Sequence, residues 1–94
     1  MTIYAEESLP VTSATVVQLT PANFNVPGGI KADSCTIVVK TAPIYYAFLS
    51  APTALNGYKA TIDEVIVIDG YDNIKNFKAM AQSAAAAIYV NDSN

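Results

Sequence analysis

The stretch FKAMAQSAAAAIYVND, residues 77–92, fits two secondary structures, and the choice between them decides the fold class. A single helix would place on one face the side chains of Phe77, Met80, Ala81, Ala84 and Ile88. A hairpin would instead give two strands, 76–82 and 85–91, that turn at Ser83–Ala84. One face of its last strand would carry Tyr89 and Ala87, and the opposite face Ala86, Ile88 and Val90. Alanine, methionine, lysine and glutamine favour the helix slightly. A helix this short is nevertheless marginal without tertiary packing, and we predict the hairpin because the rest of the chain is strand-like.

The remaining sequence consists of short runs of β-branched and aromatic residues separated by proline, glycine and asparagine, which is typical of small all-β domains. The runs of strand length are SATVVQL (13–19), SCTIVVK (34–40), IYYAFLS (44–50) and TIDEVIVID (61–69). The sequence therefore predicts an all-β fold, a single small antiparallel β-sandwich that ends in the hairpin. A jelly-roll arrangement of the strands is one possibility.

The chain of 94 residues has room for one hydrophobic core only. We expect an N-terminal arm at residues 1–10, a β-sandwich domain at 11–91 and a C-terminal tail at 92–94. The arm is either a tether to a neighbouring protein or a disordered segment.

The composition indicates more apolar material than one small core can bury. Apolar residues make up 52% of the chain and charged residues only 14%, against about 25% charged residues in typical soluble domains. In residues 61–69, the expected strand faces are Ile62, Ile66 and Ile68 on one side and Val65 and Val67, beside Asp63 and Asp69, on the other. An apolar face on both sides of a strand indicates burial against a partner or a second copy. A loop folded over that face, or a monomer with many exposed alanines, are the alternatives.

Several functional classes lack the residues that they need. The chain has five lysines, no arginine and no histidine, and its net charge is −3. Nucleic-acid binding is therefore not expected, and neither are a zinc site or a histidine-based catalytic triad. We predict no enzymatic activity and no cofactor. The only cysteine, Cys35, lies in the apolar run CTIVVK and is expected to be a small buried residue.

Two further features of the sequence bear on location. No segment has the 18 or more apolar residues of a membrane-spanning helix, so no membrane partner is expected. The N-terminal residues MTIYAEESLPV carry acids where a secretory signal carries positive charge. Export through a visible signal is therefore not expected.

The second half of the chain, YYAFLSAPTALNGYKATIDEVIVIDGYDNIKNFKAMAQSAAAAIYVNDS, resembles small virion proteins of tailed bacteriophages. The shared pattern is an aromatic strand, a loop of small residues, an acid followed by an aliphatic strand (Glu64 to Ile68) and a connector (Asp72 to Ile74). A final hairpin follows, with small residues at its turn and a tyrosine, Tyr89, near its end. In the first half, ADSCTIVVKT leads into the aromatic strand in the same way. The resemblance covers about residues 11 to 91 and includes no catalytic position. The Ala84–Ala87 run departs from it, since such hairpins more often carry Gly, Thr or Val.

The resemblance implies a β-sandwich that decorates or cements the capsid, often as a homotrimer. It implies binding to the major capsid protein on the capsid surface of the virion after synthesis in the cytoplasm of the bacterial host. A tail-associated or fibre-base β module of the same virion is the alternative, and a glycan-binding module is a third hypothesis.

Aromatic side chains are the expected anchors of such an interface, because a few buried aromatic residues usually supply most of the binding affinity. The candidate interface residues are Tyr45, Tyr46, Tyr58 and Tyr89. Phe48 is also aromatic, but we expect it to belong to the core.

Overall fold

The computed structural model describes residues 3–13, 15–20, 25–26, 30–53 and 55–93. Ten strands and one short helix follow one another along these residues. They are β1 Ile3–Val11, β2 Val17–Gln18, β3 Asn25–Val26, β4 Ile30–Lys31, β5 Ser34–Lys40, β6 Ile44–Ala47, β7 Tyr58–Ala60, β8 Val65–Asp69, α1 Tyr71–Asn76, β9 Lys78–Ala81 and β10 Ala86–Ser93.

Eight of these strands form two antiparallel sheets of four. The strand order is β1-β10-β5-β8 in one sheet, which we call sheet A, and β2-β9-β6-β7 in the other, sheet B. Strands β3 and β4 pair only with each other, between β2 and β5 in the chain. The prediction of a small all-β sandwich is confirmed.

The strand pairing follows the pattern of one long hairpin that has been rolled up. Its innermost pair is β6–β7, followed outward by β5–β8, β2–β9 and β1–β10. Successive pairs belong alternately to sheet B and sheet A. This nesting across two four-stranded sheets is the strand order of a jelly roll.

Side chains that alternate in burial build the core between the sheets. In β5, Cys35, Ile37 and Val39 are fully buried, while the residues between them are half-buried or exposed. Strand β8 behaves in the same way, with Ile66 and Ile68 inside. Each buried residue has its neighbours on the solvent side of the pleat, as the two-residue period of a strand requires. Both strands therefore present their second face outward.

The last two strands exist, but their pairing as a hairpin is wrong. Strand β9 pairs with β2 and β6 in sheet B, whereas β10 pairs with β1 and β5 in sheet A. Gln82 stays on the sheet B side, because its backbone N–H donates to the Pro43 carbonyl at 3.2 Å and its Nε2 to the Ile44 carbonyl at 3.1 Å. Residues 83–85 then cross to sheet A. The predicted faces of the last strand are confirmed, with Ile88 and Val90 inside and Tyr89 outside.

The predicted ends of the domain also change. Residues 3–10, assigned to an arm, lie in β1 and pair with β10. Residues 92–93, assigned to a tail, belong to β10. Residues 1–2 and 94, the rest of those two segments, lie outside the described residues.

Three predicted strands are shorter in the structure than in the sequence pattern. The run 44–50 is a strand only at Ile44–Ala47, and 61–69 only at Val65–Asp69. Of 13–19, Val17–Gln18 pair in a sheet, and Ala14 lies outside the described residues.

A short helix, α1, replaces part of the connector that the sequence pattern suggested after β8. It begins after Gly70, whose φ of 96° is a conformation that favours glycine. Asn73 Nδ2 donates to the Asp69 carbonyl at 2.9 Å, and Ile74 is buried under the helix. The helix thus closes one end of the core.

Candidate functional site

The four tyrosines predicted as anchors do not form one site. Tyr45 lies on the outer face of sheet B, and Tyr89 lies on the outer face of sheet A. Tyr46 points into the sandwich and packs against the core, while Tyr58 stands opposite it on β7 and is 61% exposed. Only Tyr46 and Tyr58 are brought together.

Those two tyrosines belong to an aromatic cluster that connects the core to the surface. The ring of Tyr46 has centroid distances of 5.3 Å to Tyr58, 5.8 Å to Phe77 and 6.1 Å to Phe48. Phe77 is fully buried, and Phe48 packs partly buried against the core as expected. Burial, together with the negative charge of Glu64, raises the pKa of Tyr46. Contacts at these distances are typical of stabilising aromatic pairs.

The loop between β6 and β7 carries the two most exposed large apolar residues that the structure describes. Leu49 is 87% exposed and Leu55 is 94% exposed. Beside them, an open depression of about 400 Å³ is lined by Ala47, Phe48, Leu49, Ser50, Asn56, Gly57 and Tyr58. The loop offers apolar side chains and a concave surface at the same place.

Local hydrogen bonds fix the shape of this loop. The Thr53 hydroxyl oxygen accepts from the backbone N–H groups of Leu55 at 3.2 Å and Asn56 at 2.9 Å. At Gly57, a Cβ atom would approach the Tyr46 carbonyl oxygen and Pro52 Cβ to 3.2 Å each, so the backbone lies too close for a larger residue to fit easily. The backbone at Leu55 is therefore held by a local hydrogen bond, which lowers the entropy that a partner would have to remove there.

The outer face of sheet A is the second apolar surface. In one row across the sheet, Tyr89, Val38 and Val65 stand next to one another on β10, β5 and β8. Val65 is 55% exposed, and Val67, in the next row, is 63% exposed. The Tyr89 hydroxyl donates to Glu6 Oε2 at 2.6 Å, and this hydrogen bond raises the pKa of Tyr89. The second apolar face expected from the alternation in 61–69 is present and uncovered by the described residues.

Charge is divided unequally between the two sheets. All eight acids lie in the strands of sheet A or in segments that directly adjoin them: Glu6, Glu7, Asp33, Asp63, Glu64, Asp69, Asp72 and Asp92. The strands of sheet B contain two lysines, Lys59 and Lys78, and no acid. On the sheet A side, Lys40 pairs with Asp63 at 3.3 Å. The acids that lie within the strands of the two sheets therefore all belong to sheet A, whereas the charged residues within the strands of sheet B are lysines.

One acid of sheet A, Asp92, is fully buried beside Cys35. No described group makes a hydrogen bond of ordinary length and angle to either carboxylate oxygen. Burial raises the pKa of Asp92. The weak thiol donor of Cys35 lowers it in part, and the negative charge of Glu7 raises it further. Burial also raises the pKa of the Cys35 thiol, as does the neighbouring Asp92. A thiol held in its neutral form is a poor nucleophile.

Within the described part of the chain, no group of three or more Cys, Asp or Glu residues is arranged to hold a metal ion. No helix among the described elements is both long and apolar enough to cross a membrane. Comparisons of the chain with protein-family models, curated proteins and solved structures found no match.

Sequence reasoning missed two of these features. Leu55 lies in the stretch PTALNG, whose residues favour a turn. That position was the available signal that the Leu55 side chain would be exposed. Asp92 was placed in a tail, and nothing in the local pattern shows that β10 continues to Ser93 in the middle of a sheet.

Proposed function

We propose that this protein is a structural component of a tailed-bacteriophage virion that binds the outer capsid surface and stabilises the mature head. The observation that carries the proposal is the β6–β7 loop, which presents Leu49 and Leu55 to solvent beside an aromatic cluster and an open depression. Its partner is the major capsid protein, and its role is adhesive rather than catalytic. The resemblance to small virion proteins supports the proposal, and the jelly-roll strand order, which occurs in viral capsid domains among others, agrees with it as a fold-level analogy.

The physical basis of such a role is selective binding to the assembled lattice. A protein that binds across junctions between capsid subunits stabilises only the state in which those junctions exist. Each copy contributes a modest free energy, and a homotrimer that contacts several junctions at once gains avidity from its geometry. The exposed leucines supply the apolar anchors, because their burial removes a large apolar area from water.

The test is co-sedimentation with phage heads that lack the protein. The unmodified protein is expected to sediment with mature heads and to raise the temperature at which they release DNA. The double variant Leu49→Ser/Leu55→Ser is expected to bind at least tenfold more weakly. Ile62→Ser is the matched control, because Ile62 is also exposed but lies in the turn before β8. Absence of the protein from purified virions, measured by mass spectrometry, would end the proposal.

Location in the tail of the same virion is the alternative within this class. Cryo-electron microscopy of the particle distinguishes the two locations. Density for the jelly roll on the head lattice supports decoration of the capsid, and density at the tail or fibre base supports the tail location instead.

A second candidate function is glycan binding at the depression. Tyr58 offers an exposed ring there, beside the polar side chains of Ser50 and Asn56, and this combination suits stacking on a sugar. Binding on a glycan array that is lost in Tyr58→Ala would favour this function. An array without binding would remove it.

A further inference from the structure

The outer faces of the two sheets are chemically complementary. On sheet A, Val38, Val65, Val67 and Tyr89 form an apolar centre, which we call the valine face. Glu6 borders this face on β1, and Asp69 borders it on β8. The face is therefore apolar in the middle and acidic at two of its borders. Lys40, two residues from Val38 on the same side of β5, pairs with Asp63 at 3.3 Å, so the net charge around the face stays negative.

On sheet B, the register places Met80, Tyr45 and Lys59 side by side on β9, β6 and β7. Lys78 lies two residues along β9 from Met80, on the same side of the sheet. Met80, Tyr45 and Lys78 are half-buried, and Lys59 is exposed. We call this surface the lysine face, and it combines apolar area with two positive charges.

The charges decide which contacts between copies are favourable. Two valine faces that meet bring acids against acids, and two lysine faces bring lysines against lysines. Only a contact between unlike faces joins opposite net charges around apolar centres, and charge complementarity of this kind sets partner choice and orientation. Contacts between two different surfaces of identical subunits are head-to-tail, and they close into a ring when the rotation permits.

We propose that the valine face of one copy binds the lysine face of a second copy, so that copies associate head to tail. This inference deepens the proposed function, on which its biological meaning rests, by naming the surfaces through which copies associate with each other. It leaves the β6–β7 loop with Leu49 and Leu55 available for the capsid. Self-association is measured on the purified protein without capsids, so its failure is distinguishable from a failure to bind the head.

Sedimentation velocity of the purified protein is the first measurement. Association is expected at tens to hundreds of micromolar, and it should weaken as sodium chloride is raised, because salt screens exposed charges. A protein that stays monomeric throughout this range overturns the inference. If that monomer still binds heads, the proposed function stands without the head-to-tail contact.

Two blocked variants separate head-to-tail contact from contact between like faces. Val67→Lys places a positive charge at the centre of the valine face, and Lys59→Ser/Lys78→Ser removes both charges of the lysine face. Each variant alone is expected to be monomeric where the unmodified protein associates. Mixed in equal amounts, they are expected to form a one-to-one heterodimer, because each retains the face that the other lacks.

Other outcomes of the mixing experiment contradict the proposal. Self-association of the lysine-face variant alone would mean that valine faces pair with each other, and self-association of Val67→Lys would mean the same of lysine faces. A mixture that stays monomeric would show that the two faces do not bind. Circular dichroism and thermal melting establish that each variant is folded before it is used.

Matched controls repeat both kinds of substitution outside the two faces. Leu55→Lys changes an exposed apolar residue of the β6–β7 loop to lysine, and Lys75→Ser removes a lysine from α1. Both are expected to associate as the unmodified protein does. Loss of association in either control would place the interface elsewhere.

Discussion

Cys35 and Asp92 stand directly opposite each other on β5 and β10, and both side chains are fully buried between the sheets. A carboxylate in this position has lost its hydration and gained no hydrogen bond of ordinary geometry from the described residues. Leaving a buried polar group unsatisfied costs about 1–3 kcal/mol. The pair is therefore a local weakness in an otherwise apolar core, and it makes stability depend on pH.

Asp92→Asn is expected to raise the free energy of unfolding at pH 7 by about 1–3 kcal/mol, because it removes the buried charge and keeps the shape of the side chain. Burial raises the pKa of Asp92 in the folded state. Because the pKa of Asp92 is higher in the folded state, the folded protein is most stable when Asp92 is protonated. This contribution to the free energy of unfolding is complete below the unfolded-state pKa and is lost as the pH rises through the folded-state pKa. The advantage of the variant should therefore disappear in acid. Urea titrations at neutral and acidic pH measure it, and an equal difference at both would contradict the assignment.

The Cys35 thiol is expected to resist a disulfide reagent in the native protein and to react fully in denaturant. Its side chain is buried, and burial next to Asp92 raises its pKa, so both access and thiolate content are low. The native labelling rate should fall when the protein is stabilised, for example in Asp92→Asn. Rapid labelling that is insensitive to stability would show that the thiol is accessible without unfolding.

Phe77→Ala is expected to destabilise the protein by about 3–5 kcal/mol, because it leaves a cavity in the core and removes the ring on which Tyr46 stacks at 5.8 Å. Phe77→Leu should cost less, since it refills most of the space. Chemical denaturation followed by tyrosine fluorescence provides the measurement. Leu55→Ala serves as the exposed control and should change stability by less than about 0.5 kcal/mol.

Thr41→Gly is expected to stabilise the protein by up to about 1 kcal/mol. Thr41 has a φ of 77°, a left-handed conformation that is costly for a β-branched residue and free of strain for glycine. The added freedom of glycine in the unfolded chain offsets part of the gain. Thr12→Gly is the control, because Thr12 is exposed and has no positive φ, and it should destabilise. The same sign for both thermal shifts would contradict the strain at Thr41.

The sequence predicted elements well where a single strand determines its own pattern. The run 34–40 is a strand over its full predicted length, and Tyr89 lies on the predicted side of the last strand. The sequence-based prediction was wrong where the structure depends on which strands, far apart in the sequence, pair with each other. The predicted turn at Ser83–Ala84 does not by itself determine whether the chain returns to the same sheet or crosses to the other, and here it crosses.

The candidate site was predictable in kind and only partly in position. The apolar surplus correctly indicated exposed apolar surface, and the alternation in 61–69 already assigned Val65 and Val67 to one face. The tyrosines could not be sorted from sequence. An aromatic residue in a two-sided apolar strand fits either face equally well, and only the register separates Tyr45 on the outside from Tyr46 in the interior.

Because of the nested strand pairing, sheet A is completed only when the last strand, β10, is available. In sheet A, β1 has a single neighbour, β10, and the pairing joins Ile3 to Ser93 across nearly the whole sequence. Contacts between such distant residues cost loop-closure entropy before they stabilise anything, and they slow folding. During synthesis, β1 leaves the ribosome first and then waits for the strand that completes its sheet. Nascent chains interrupted before Ala86 therefore expose a long unpaired strand edge. Such an edge can be bound by chaperones, and it promotes aggregation when it is left unpaired.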